Sequence, residues 1–284
     1  IWGPAAVGII ALALNVPNMV VDAVDLGTKK SLPYLIGRSG RTLAEVTSAA
    51  MMMWLVVSLI ATPVSIAILF SPLMSTVDPL WGILGALTIP FSLFVGYATG
   101  FSIGVRRLIF FKHVTWARDP ITLVVIVVVG LVLGFSDPSE GWVRLLAELV
   151  GVVLATYFSM RFIAPHAPLM TKWDLGLQKE MISHSFKFGL GMWSMKMNYR
   201  IGLIMLGIAS FQIPASEIGN YSRALVVAMM LWRIPGMLGT IVFSRTVNDG
   251  DSIERARQAA LIARVATLAG APFAVVLWIG TPRI

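Results

Sequence analysis

Residues 186–211 read FKFGLGMWSMKMNYRIGLIMLGIASF, and residues 217–245 read EIGNYSRALVVAMMLWRIPGMLGTIVFSR. At about 1.5 Å of rise per residue, each stretch is long enough to cross a hydrocarbon core about 30 Å thick as a helix. Each also contains cations: Lys196 and Arg200 interrupt the first, Arg223 and Arg233 the second. A charged side chain at the bilayer centre costs about 2.5 to 3.5 kcal/mol on insertion scales, so it normally faces a bundle interior or a wet cavity rather than lipid. Four cations in one helical hairpin therefore suggest an anion-binding cavity.

Helical rise places Lys196 about 15 Å and Arg200 about 21 Å along from Phe186, and Arg233 about 16 Å from the far end of the next helix. If the two helices run antiparallel, these three sit near the midplane. Arg223, about 31 Å from Ser244, falls beside Tyr221 at the interface, where its stem can snorkel to water. Lys196 and Arg200 are four residues apart and share one helix face. The alternative is that each cation pairs with a carboxylate elsewhere in the bundle and serves packing.

Composition sets the class. With 57% hydrophobic and 13% charged residues and a mean hydropathy of +0.83, the chain is not an ordinary soluble domain. An all-α, polytopic transmembrane helix bundle is expected. Its spans, about eight by a requirement of about 17 to 25 mostly apolar residues, are Pro4 to Leu26, Glu45 to Phe70, Leu80 to Arg106, Asp119 to Ser136, Trp142 to Phe162, Phe186 to Phe211, Glu217 to Ser244 and Gln258 to Gly280. Alternating segments with aromatic girdles, the mark of a barrel, are absent from the sequence. The cysteine count is zero, which excludes disulfides and thiolate metal sites.

The net charge of +8 belongs to topology. Sixteen of the twenty-two Lys and Arg fall in the odd-numbered connections, around Lys29 to Arg41, Arg106 to Arg118, Arg161 to Lys187 and Arg245 to Arg264. The even-numbered connections have none, and two of them carry Asp78, Asp137 and Glu140. The positive-inside rule makes the odd connections cytoplasmic and removes the case for nucleic acid. Residues 164–185 contain Pro165, Pro168 and an amphipathic piece from Leu175 to Lys187. They read as a connection between a first lobe, 1–163, and a second, 186–284. The chain begins at Ile1 rather than Met and stops soon after an apolar run, so a fragment is expected.

Little suggests chemistry. His113, His166 and His184 are scattered without metal-ligand spacing, so no metal or cofactor is expected. Gly27-Thr28-Lys29-Lys30-Ser31 lacks the upstream glycine and preceding strand of a phosphate loop. Glu148 follows Arg144 by four residues, as a local ion pair does. Asp22 and Asp25, with Asn15 and Asn18 one to two turns above, form a polar face suited to a coupling proton or cation. Pairing with Lys29 and Lys30 is the other reading.

Several segments together resemble the polysaccharide (O-antigen type) flippases of the MATE-like multidrug/oligosaccharidyl-lipid/polysaccharide exporter superfamily. They are Gly3-Pro4-Ala5-Ala6-Val7-Gly8, Leu26-Gly27 with Leu32 to Arg38, Asn198-Tyr199-Arg200, Ile218 to Ala224, Leu231 to Pro235, and Val242 to Arg245. In many relatives an Asp follows two residues after the matching Arg; here Gly202 stands there. The resemblance implies helices two to nine of a family that usually has twelve to fourteen. It also implies a non-enzymatic secondary transporter of the cytoplasmic membrane that moves undecaprenyl-pyrophosphate-linked oligosaccharide outward for polysaccharide such as O-antigen. Its implied partners are that lipid-linked anion, membrane lipids and glycan polymerase or assembly proteins. Lys196, Arg200, Arg233 and, more marginally, Arg223 would line the cavity, with Asp22 and Asp25 available for ion coupling. A multidrug exporter of the same superfamily is the alternative, although exporters of cationic drugs should carry acids there. A polytopic enzyme of glycan assembly is a third reading, but the outer loops are too short for a catalytic domain.

Overall fold

Local sequence sets the starts of three helices, capped by Thr42, Asp78 and Asp174. A computed structural model describes residues 3–25, 27–38, 40–105, 107–133, 141–165, 174–208 and 212–229, with short pieces between 256 and 275. Among the described residues there is no strand. The helices are α1 (Pro4–Asp25), α2 (Thr28–Arg38), α3 (Leu43–Leu69), α4 (Pro79–Gly104), α5 (Leu108–Leu133), α6 (Gly141–Ile163), α7 (Leu175–Gly207) and α8 (215–229). Thr42 and Glu45 close a capping box on α3: Glu45 N donates to Thr42 Oγ1 at 3.3 Å, and Thr42 N donates to Glu45 Oε2 at 2.9 Å. Asp78 caps α4 by accepting from Leu80 N, with Pro79 in the first turn, where its missing N–H costs nothing.

The all-α class expected from composition is the class observed. Among the described residues, four helical segments are long and apolar enough to cross a membrane: Pro4–Gly37, Leu43–Leu69, Pro79–Gly104 and Gly141–Ile163. They coincide with the first, second, third and fifth expected spans. The fourth lies on α5, whose described apolar stretch, Asp119–Val129, is shorter. The sixth lies on α7, and the last two fall largely outside the described residues. Bulky apolar side chains face outward, among them Leu59 and Ile60 on α3 and Leu131 and Val132 on α5. Hydrocarbon is the solvent that suits such faces, and the chain is a membrane-associated protein.

α4 lies at the centre, packed against α6, α2, α3 and α1. Ile89, Leu93, Phe94, Tyr97 and Phe101 are all fully buried along it. Its neighbours also reach its backbone: Trp54 Nε1 on α3 donates to Pro90 O at 2.7 Å, and Thr156 Oγ1 on α6 donates to Phe91 O at 3.2 Å.

Two regions differ from the expectation. The first connection is not a loop: α2 fills it, burying Leu32 and Leu35 against α4. The break between α1 and α2 sits at Gly27, whose φ of +83° suits a residue without a Cβ. Nor does the amphipathic piece from Leu175 stand apart from the following span. α7 runs unbroken from Leu175 to Gly207 because Asp174 caps it and no proline interrupts it. Leu177, Met181 and Ser185, spaced by four, are all buried on one face.

Contacts divide the chain into Ile1–Ser222 and Arg223–Ile284, whereas the expected lobes were divided at 164–185. The first unit holds α1 to α7 and the start of α8. In the second, all described residues are helical.

Candidate functional site

α1 and α7 pack antiparallel, and their register follows from four matched positions. Leu12 meets Gly207, Asn15 meets Arg200, Asp22 meets Lys196, and Gly27 meets Gly189. The two cations four residues apart on α7 thus face two polar residues seven apart on α1. The geometry is that of two helix faces brought into contact, at 3.6 residues per turn on each.

Arg200 and Asn15 clasp each other in both directions. Arg200 Nη1 donates to Asn15 Oδ1 at 3.0 Å, and Asn15 Nδ2 donates to the Arg200 carbonyl at 3.2 Å. The second bond uses a carbonyl inside a helix, so the pair also fixes the register of the two backbones. Arg200 Nε approaches Asp22 Oδ2 at 3.2 Å, an ion-pair distance without hydrogen-bond geometry. Lys196 Nζ donates to the other oxygen, Asp22 Oδ1. One carboxylate therefore serves two cations.

Exposure is graded across this cluster. The Asp22 side chain is 8% exposed, whereas Lys196 and Arg200 are 26% and 22% exposed. The two cationic side chains are thus more accessible than the acid they share, although Arg200 Nε itself is buried. Asn15 is halfway along α1, about 16 Å from its start, and Asp22 is about 27 Å from it. The polar row thus runs from the middle of α1 toward its C-terminal end.

Asp25 continues the row. Its Oδ2 pairs with Lys29 Nζ at 3.5 Å, across the break between α1 and α2. Asp22 and Asp25 were read as one polar face, with pairing to Lys29 and Lys30 as the alternative, and the Asp25–Lys29 pair is the one that alternative named. Asp22 turns to Lys196 and Arg200 on α7. Glu148 and Arg144 form the expected local pair at 3.6 Å on α6.

Gly202, two residues after Arg200, packs against Tyr221. A Cβ at Gly202 would lie 2.6 Å from the Tyr221 hydroxyl, so the neighbouring helix occupies the space an acid would need. Arg200 takes its counterion from α1 instead. Arg223 is exposed on α8, in the second unit. Arg233 lies outside the described residues.

Sequence reading missed a buried hydroxyl cluster below the charged row. Ser31 Oγ on α2 and Ser185 Oγ on α7 are 2.7 Å apart, and Ser185 Oγ donates to Thr28 Oγ1 at 3.5 Å. All three are fully buried. Serine and threonine are too common in membrane helices for spacing alone to have found them. His184, one residue before Ser185, packs its ring on Tyr34 of α2 with centroids 5.0 Å apart.

Neither a protein-family model, nor a curated protein, nor a solved structure matches this chain.

Proposed function

We propose that the chain is a multi-pass transporter of the cytoplasmic membrane, of the flippase type, that moves a lipid-linked anionic oligosaccharide between leaflets. One observation carries this reading. Lys196 and Arg200 share a single carboxylate, so their ion pairs leave a net positive charge on one seam of an otherwise apolar bundle, with the cationic side chains more exposed than the acid. Burying unbalanced charge is expensive, and a fold that keeps it does so where an anion arrives.

A phosphate-bearing head group meets that requirement. It cannot cross hydrocarbon by itself, whereas its lipid tail can stay there. Arg200 offers a planar donor set suited to phosphate oxygens, and Lys196 a point charge. Asp22 acts as the resident counterion in the absence of cargo, holding both cations in place. Movement of α7 against α1 would then open the site to one side or the other. A cation exporter would need the opposite sign along this seam.

The test is charge reversal. Lys196→Glu and Arg200→Glu are expected to abolish surface glycan in cells while leaving the protein in the membrane at normal level. Normal glycan display in both variants would overturn the proposal.

A further inference from the structure

We infer that Lys29 is a third cation of the α1–α7 site and contacts the same anion as Lys196 and Arg200. The inference rests on reading that seam as an anion site. It adds a residue that sequence alone assigns to a loop. The Lys29 ammonium lies on the same row: it pairs at 3.5 Å with Asp25, which stands one helical turn along α1 from Asp22, the acid that Lys196 and Arg200 share. The row sets three cations against two acids, so Asp22 and Asp25 leave it with one net positive charge. The exposures repeat the pattern of the α7 cations, with Lys29 at 27% above Asp25 at 7%. An anion placed between Lys29 and Lys196 would balance that charge.

The backbone of Lys29 is held as a site residue's should be. A Cβ on Gly100 of α4 would lie 2.8 Å from the Lys29 carbonyl oxygen and 3.0 Å from its Cα, so the two helices touch there backbone to backbone. On one side of Lys29, a Cβ on Gly27 would lie 2.8 Å from Gly189 N of α7. Thr28 and Ser31 are tied to Ser185 on that same helix. The first turn of α2 is therefore clamped between α4 and α7, and the ammonium is presented from a fixed base. Simple neutralisation of Asp25 would need no such clamp, because an exposed i,i+4 lysine suffices for that.

The test is thermal unfolding of the full chain in detergent, titrated with inorganic pyrophosphate. The unsubstituted protein is compared with Lys29→Gln, Lys29→Arg, Lys196→Gln, the double variant Asp25→Asn/Lys29→Gln, and Lys179→Gln on the exposed side of α7. Pyrophosphate should raise the unfolding temperature of the unsubstituted and Lys179→Gln proteins with the same half-saturating concentration. That concentration should rise about tenfold in Lys29→Gln, as in Lys196→Gln, for the loss of one charge-assisted contact, and fall back in Lys29→Arg. The double variant separates the two roles, and it decides the matter should Lys29→Gln fail to fold. If Lys29 is a ligand, the double variant stays about tenfold weaker; if Lys29 only neutralises Asp25, it binds normally and the inference is overturned. Unchanged half-saturation in Lys29→Gln, or no response of the unsubstituted protein, overturns it as well. The transport reading is judged separately, by glycan display of the charge-reversed proteins.

Discussion

The seam between α1 and α7 and the packing around α4 are built by opposite means. Around α4, large apolar side chains such as Phe94 and Phe101 are sealed from solvent, and the polar contacts run from side chains to backbone carbonyls. Such bonds satisfy a group without demanding a particular partner residue. Along the seam, Asn15, Asp22, Lys196 and Arg200 meet side chain to side chain, and each depends on the identity of the others. The first region tolerates substitution by size. The second is specified by charge, and a membrane interior makes error there costly.

The largest effect should come from Asp22→Ala. Removing the acid leaves two cations without it, and breaking a buried pair from one side costs about 3 to 5 kcal/mol. Equilibrium unfolding in detergent would measure this; a loss below that of a conservative core change would erase the contrast. The sharper experiment replaces all three charges, as Asp22→Leu/Lys196→Met/Arg200→Leu. Apolar replacement of a whole buried ion cluster is often neutral or stabilising by about 1 to 4 kcal/mol. This triple variant should recover stability and still fail to display glycan, which separates what the charges do for the fold from what they do for transport.

Around α4 the effects should be smaller. Ile89→Val removes one methylene from a fully buried position and should cost about 0.5 to 1.5 kcal/mol. Trp54→Phe deletes the donor to the Pro90 carbonyl, a loss of about 0.6 kcal/mol on the average for side-chain hydrogen bonds in membranes. Least of all, Arg144→Gln should change stability by at most about 0.5 kcal/mol, because its pair with Glu148 is local and partly solvated. An Arg144 effect as large as that of Asp22 would show that placement between helices adds nothing to an ion pair.

The amino-acid sequence by itself determined the all-α class, the apolar spans on α1, α3, α4 and α6, and the fact that Lys196 and Arg200 share a face. These follow from hydropathy and from 3.6 residues per turn, which are properties of a segment alone. The sequence also marked Asp22 and Asn15 as a polar face, but it did not name Lys196 and Arg200 as their partners. Asp25 pairs locally with Lys29, four residues on, as the sequence allowed, whereas that Asp22 belongs to α7 was decided by tertiary structure, since that pairing depends on which helix faces which. The same holds for α2. Lys29 and Lys30 read as a charged loop beside Gly27, whereas Leu32 and Leu35 find a groove on α4 that no local pattern announces. Contacts between Gly100 and the Lys29 backbone, and between Ser31 and Ser185, join residues tens to more than a hundred positions apart. Local propensity carries no information over such distances, and only the packed bundle brings them together.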